Sequence, residues 1–327
     1  MIKTRVCDLL GIEHPIFLGG LGGGHTTPAM VAAVSSAGGF GAQGCHMLSP
    51  QQIEESVAAI RAQTDKPFAL NFLLFLIEDD CFAAALAERP AAIVIAWPRP
   101  EQDLSHYIGR AQAAGCKTMV MVGGVPEAVR ANEAGADIII AQGTEGGGHV
   151  GWMATMALVP MVVDAVGSTP VVAAGGIADG RGLAAALALG ADGVLLGTRF
   201  LASDESPLHA NFKQAIVASD GHDTVLSEIP DLASGTVWPG AMSRTARNAV
   251  VERWSGREWM LRQHRARAMA GILAARKIGD IAESTLSYGQ DAGLIHDIAP
   301  SGEIVRRIAR EAEAILSGRL AKVLTRN

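Results

Sequence analysis

Charge is scarce in this 327-residue chain. Asp, Glu, Lys and Arg make up 18% of it, and the formal net charge is -6. No Lys/Arg cluster offsets that balance, which excludes an electrostatic nucleic-acid binder. Cysteine is scarce too: Cys7, Cys45, Cys81 and Cys116 are scattered, with no CxxC pair among them. Such spacing argues against a zinc site or a disulfide framework and points to reduced thiols in a cytoplasmic protein. No run of eighteen apolar residues occurs, so nothing reads as a membrane span. The opening MIKTRVCDLLGIEHP carries charge within its first apolar stretch and has no signal-peptide hydrophobic region. Also missing is a GxGxxG turn after the first strand with an acid about twenty residues on, which weakens a doubly wound sheet.

Apolar residues, at 49%, are enough for a sizeable core. Short β-branched runs alternate with Ala-rich helical patterns, the signature of βα units and a parallel sheet. Eight strands are predicted: Pro15–Gly19, Phe40–Gln43, Phe68–Phe72, Ile93–Ala96, Thr118–Val122, Ile138–Ala141, Val171–Ala174 and Val194–Leu196. Helical stretches lie between them, among them Pro28–Ala37, Gln51–Gln63, Leu104–Ala114, Val125–Ala134 and Gly180–Ala188. Three lead to a glycine just before the next strand, at Gly38, Gly115 and Gly190, a repeated helix-stop signal. The count and spacing predict an α/β chain, a (β/α)8 TIM barrel. After the eighth strand the rhythm breaks. From about Ala215 to Ser287 no strand-like repeat is visible, and Arg, Trp and Met are frequent. We therefore expect a barrel of residues 1–214 and 288–327, with a mainly helical insertion, 215–287, covering its mouth. A last helix, Ser301–Ser317, is expected to close the ring.

In such barrels the working residues follow the C-terminal ends of the strands. The stretch AQGTEGGGHVG, Ala141 to Gly151, puts three glycines in front of His149 just after the sixth strand. Bare backbone lets a ligand approach closely, and an imidazole there can exchange a proton near neutral pH. A loop with a solvent-exposed histidine is the plain alternative. Glycine pairs follow the seventh strand, Gly175-Gly176, and Gly197-Thr198 follows the eighth. Backbone N–H groups in such turns make an anion nest that can hold a phosphate without lysine, although tight turns alone also favour glycine. No Lys ends a predicted strand, which excludes a Schiff-base aldolase. Glu145 and His149 are four apart, but no further ligand completes a metal site. The remaining mouth, with Asn71 and Gln142 as amides, suits a planar heteroaromatic ring such as a flavin.

These residues carry a resemblance. Gly-Gly-His at 147–149, AAGGIADGRGLAAALALGADGVLLGTRFLA from Ala173 to Ala202, GQDAGLIHDI near the end and the opening HPIFLGGLGG resemble the nitronate monooxygenase (2-nitropropane dioxygenase) family. The likeness covers essentially the whole chain. It implies an FMN-dependent barrel in which Gly19, Gly20 and Leu21 back the flavin and Asn71 and Gln142 meet its polar edge. Gly147 and Gly148 would let the ring approach, and Gly175, Gly176, Gly197 and Thr198 would hold the phosphate. Gln290 and Gly293 would close the site, and His149 would face the substrate as the catalytic residue. Two departures touch the substrate pocket. Some members carry a Lys just after the fifth strand, where this chain has Val122-Gly123-Gly124, and others carry a bulkier residue within Gly22–Gly24.

The implied reaction oxidises an alkyl nitronate, or the parent nitroalkane, with dioxygen to a carbonyl compound and nitrite. FMN-dependent enoyl-ACP reductases and NADH:quinone reductases of the same superfamily share these loops, so a reductase using NAD(P)H is the alternative. A basic docking face for it could come from Arg244, Arg247, Arg253, Arg257, Arg262, Arg265 and Arg267, whose plainer reading is a solvated helical face. The expected partners are thus a small nitronate or nitroalkane and dioxygen, with no nucleic acid, no membrane and no metal. A homodimer and NAD(P)H stay open. His25 and His46 could line the mouth, their plainer reading being loop residues; Trp152 and Met153 could shape the pocket or simply pack; and Met242, Trp254 and Trp259 are expected in the core of the insertion.

Overall fold

In the computed structural model, which describes residues 1–319 and 322–323, the strands in chain order are β1 (Ile16–Leu18), β2 (Gly41–Gly44), β3 (Phe68–Leu73), β4 (Ala92–Ala96), β5 (Lys117–Val122) and β6 (Ile138–Gln142). There follow β7 (Gly148–Val150), β8 (Val171–Ala174), β9 (Gly193–Leu196), β10 (Thr224–Ser227) and β11 (Met242–Ala246). Eight of them form one parallel sheet in the order β1-β9-β8-β6-β5-β4-β3-β2. Its two edges meet. Leu18 N donates to Phe40 O at 2.9 Å and Phe40 N to Ile16 O at 2.9 Å, which closes the sheet into a TIM barrel. The eight predicted strands are all present, each with ends shifted by no more than a residue or two.

Alternation along the strands sorts side chains to two sides. Ile138, Ile140, Val172 and Ala174 join Phe17, Phe40, Val94 and Met119 in an inner cluster. Their neighbours Ile139, Ala141, Val171 and Ala173 join the helices in an outer one. Strands buried on both faces need apolar, β-branched residues throughout, which is why these runs read so clearly. Val6, Cys7 and Leu10 of the helix Arg5–Leu10 belong to the inner cluster and plug one end of the barrel. The other end stays open and carries the site.

The helices start and stop where local chemistry dictates. Asp179 accepts from the N–H groups of Arg181 and Gly182 at the start of Gly180–Ala188. Ser49 and Gln52 form a reciprocal capping box at Pro50–Arg61. Gly38, Gly115, Gly135 and Gly190 each take a positive φ after a helix, as the stop signal requires. The helix Ser301–Ala314 packs against Gly180–Ala188 and Pro28–Ser36, sealing the ring of helices. It runs on as a π turn, Ile315–Arg319.

Residues 215–287 are mainly helical and bury their own cluster of Ile229, Ala233, Val250, Val251, Leu261 and Ile272. They also contribute β10 and β11, which no pattern in the sequence predicts. These pair antiparallel with each other, and β11 pairs with β7, so that Ser243 lies opposite His149. Trp254 packs on the insertion cluster and Met242 is half-buried, but Trp259 is exposed rather than core. Arg244 is buried in β11 and donates to Thr144 O at 2.9 Å, which removes it from any docking face, whereas Arg247, Arg257, Arg262, Arg265 and Arg267 are not buried. All four cysteines are buried and free. Among the described residues no helix is long and apolar enough to cross a membrane.

Candidate active site

A cavity of about 770 Å³ opens at the C-terminal ends of the barrel strands. Gly19, Gly20 and Leu21 line it from the loop after β1, Asn71 from β3 and Gln142 from the end of β6. Gly147, Gly148 and His149 enter from β7 and the turn before it, Gly175 and Gly176 from the loop after β8, and Gly197 and Thr198 from the loop after β9. Gln290 and Gly293 do not reach it. Gln290 is exposed, its N–H donating to Glu145 O at 2.9 Å, and Gly293 lies against the backbone of Asp220 and Gly221. The short helical turn Gln290–Leu294 instead turns Asp291 toward the cavity, a residue that no sequence motif singled out.

The glycines after β8 make a cradle. Gly175 (φ +94°) and Gly176 (φ +74°) hold left-handed conformations in succession, a geometry that aims adjacent N–H groups to one side. A Cβ on Gly175 would lie 2.6 Å from Gly143 O. The N–H groups of Gly175, Gly176, Gly197 and Thr198 find no acceptor among the loop and turn hydrogen bonds of the described residues. Thr198 is buried and the three glycines are half-buried, so these donors are free to take an external acceptor. Thr198 Oγ1 accepts from Gly289 N at 2.9 Å, tying the C-terminal segment to the cradle.

At the other side, Asn71 Nδ2 donates to Gly20 O at 3.4 Å, and a Cβ on Gly20 would collide with the Asn71 side chain. Asn71 therefore spends part of its amide holding the β1 loop. Gln142 is different: its Oε1 is buried with no partner, on a residue that lines the cavity. An N–H donor brought against that side chain would satisfy it.

His149 sits on β7, facing a wall supplied by the insertion. Its Nε2 lies 2.8 Å from Asp231 Oδ1, and its ring stacks on Trp238 with centroids 3.3 Å apart and planes 10° from parallel. Trp238 in turn meets Phe75 (4.8 Å) and Trp97 (6.1 Å). Trp97 carries a positive φ of 54°, strained for an aromatic residue, at the cavity wall. Asp231 and Trp238 were both missed from sequence, since nothing local ties either to a histidine 82 residues upstream of Asp231. With Asp231 accepting at Nε2, a neutral imidazole carries its proton there and its lone pair on Nδ1.

Other polar groups are accounted for. Glu145 accepts from Thr155 N and Oγ1 at 2.9 Å, so Glu145 and His149 bind separate partners and are not a ligand pair. His25 and His46 do line the cavity; burial pushes the His25 imidazole down to about 4 and lowers His46 as well, so both are neutral near pH 7. Arg276, from the insertion, lines the wall and donates to Thr285, with no carboxylate partner among the described residues. Trp152 is exposed and outside the cavity, and Met153 packs on the core.

The family model for nitronate monooxygenase matches residues 3–311. A probable nitronate monooxygenase of Staphylococcus saprophyticus is 34% identical, the match covering 70% of this chain and 76% of that one. A (3aS,4S,5R,7aS)-5-hydroxy-7a-methyl-1-oxo-octahydro-1H-indene-4-carboxyl-CoA dehydrogenase of Rhodococcus jostii is 31% identical over 95% of this chain and 96% of its own. Among solved structures, FabK of Thermotoga maritima superposes with a TM-score of 0.88 at 36% identity, covering 99% of this chain and all of that one. A nitroalkane oxidase of Streptomyces ansochromogenes gives 0.84 at 26% identity, covering 96% and 99%.

Proposed function

This chain belongs to the nitronate monooxygenase family and is an oxidoreductase of it, and from that premise we propose that it is an FMN-dependent oxygenase of alkyl nitronates, yielding a carbonyl compound and nitrite. The observation that supports the reading best is the pairing of a glycine cradle with unclaimed N–H groups and an imidazole oriented by a carboxylate in the same cavity. FMN, when bound, supplies the electron-accepting ring and the route of electrons to dioxygen.

The residues present fit that cofactor. Gly175, Gly176, Gly197 and Thr198 would hold its phosphate through main-chain donors. Gln142 Oε1 would accept from the polar edge of the ring, and Gly19, Gly20, Leu21, Gly147 and Gly148 would give it room. His149 Nδ1, the free nitrogen, takes the α-proton when a neutral nitroalkane is offered; protonated, the same ring neutralises the nitronate anion. Asp231 fixes the ring's tautomer, and Trp238 holds its plane. Residues 215–287, which carry both, act as a lid over the mouth, in a protein we place in the cytoplasm.

A reductase of a larger acyl substrate is the second reading. One observation favours it: the wall from residues 207–212 and 269–277 adds Leu208, Phe212, Met269 and Ile272 to the cavity, more apolar surface than a small nitronate needs. The whole-length likeness to a CoA-thioester dehydrogenase points the same way. Steady-state turnover of propionate 3-nitronate and ethylnitronate, set against NADH with quinone or an enoyl thioester, decides between them. Nitrite release outpacing NADH consumption is expected; NADH oxidation without nitronate turnover would replace the first reading with the second.

A further inference from the structure

Asp291 is a buried acid that the proposed chemistry does not use. It is only 5% exposed, yet it borders the cavity that Gly175, Gly176, Gly197 and Thr198 also line, with Thr198 its neighbour. Its carboxyl Oδ1 is enclosed and has no hydrogen-bond partner. The turn that carries it is pinned in place, Gly289 N donating to Thr198 Oγ1 and Gln290 N to Glu145 O. So a carboxyl with one unpaired oxygen is held beside the Thr198 hydroxyl, in the wall of the cavity that also carries the N–H groups a phosphate would accept from. Two anions in one desolvated pocket repel strongly, whereas a carboxylic acid there is a donor.

We propose that Asp291 is itself a ligand of the phosphoryl group, donating a hydrogen bond from its protonated carboxyl, so that a phosphorylated ligand seated above neutral pH brings a proton from solvent with it. The inference rests on reading the cradle as the phosphate site. The surroundings agree. Burial pushes the Asp291 carboxyl up to about 7 even without a second anion, opposed by hydrogen bonds from the Thr198 hydroxyl and its own backbone N–H and by Arg199, and helped slightly by Glu145. Arg199 is committed elsewhere, to Asp297 at 2.9 Å, and Glu145 is held by Thr155. On the outer side of the turn, Asp223 accepts from Tyr288 Oη at 2.7 Å, and Asp220 meets Gly293 through its backbone.

The test is FMN binding to the full-length apoprotein, read by quenching of flavin fluorescence above about pH 7, where the free phosphate (second pKa about 6) is already dianionic. Linkage predicts that the wild-type Kd rises by close to tenfold per pH unit from about pH 7 to 9. Asp291→Asn, near-isosteric, should abolish that slope and bind FMN at least tenfold more tightly than wild type at pH 9. Riboflavin, which lacks the phosphate, should show no slope with either protein. Calorimetry of wild type in two buffers of different ionisation enthalpy counts the proton directly and needs no variant. A flat wild-type Kd with no proton uptake, while FMN still binds, would overturn the role of Asp291 and leave the flavin site standing. Failure of both proteins to bind FMN would take down the cradle reading and this inference together.

Discussion

His149 is held on two sides by residues from one short segment: Asp231 takes its Nε2 and Trp238 covers one face. A general base contributes about 10²–10⁴-fold, so His149→Ala should lower kcat for nitroalkane by that order while the flavin stays bound, as its visible spectrum would report. Asp231→Asn keeps the shape but weakens a charge-assisted hydrogen bond worth about 1.5–3 kcal/mol, and should cost roughly ten- to a hundredfold in kcat with KM little changed. Equal losses in KM and kcat would assign Asp231 to substrate binding instead. Asp291 makes a separate prediction about stability. Its folded carboxyl titrates near 7 against an ordinary value of 3.8, so between those values the folded state binds more protons than the unfolded one. The stability of the flavin-free protein therefore falls as pH rises through that window and levels off above it. Asp291→Asn should raise the apoprotein Tm more at pH 8 than at pH 5 by differential scanning calorimetry; an equal shift at both would contradict the burial argument.

The elements that matter most to the site are short and irregular. β7 has three residues, and it is ordered by pairing with β11 rather than by any pattern of its own. Gly147, just before it, packs so tightly on the closing segment that a Cβ would fall 2.5 Å from Tyr288 Cα. After β8 the constraint is different. Gly175→Ala would need a positive φ and would press on Gly143 O, at a cost of about 1–3 kcal/mol in backbone strain alone. We expect that variant to fold with a lower Tm and at least a tenfold weaker hold on FMN, measured by flavin release on dilution. Wild-type FMN affinity in Gly175→Ala would mean that this turn does not carry the phosphate. β10 and β11 escaped the sequence for a physical reason. Thr224–Ser227 has two apolar residues between polar ends, Met242–Ala246 has a polar centre, and Arg244 is buried through hydrogen bonds to Thr144 and Thr224, so no apolar alternation marks them.

Across the molecule, legibility followed the range of the interactions. The barrel was readable because most βα units announce themselves locally, with a buried apolar run, a helical pattern and at several of them a glycine stop, and the units then close on one another. The cradle was readable because its donors lie on contiguous glycines at two strand ends. Partners that meet only through tertiary structure were not. Asp231 and Trp238 reach His149 from the insertion, and the C-terminal turn presents Asp291 where Gln290 and Gly293 were expected. If the cavity they enclose brings flavin, imidazole and nitronate together, anaerobic mixing of FMN-loaded protein with ethylnitronate or with NADH reports it in one optical trace. The yellow absorption should bleach rapidly with the nitronate, slowly or not at all with NADH, and return on admitting dioxygen. A flavin that bleaches with NADH alone, or a purified protein that takes up no FMN, would contradict it.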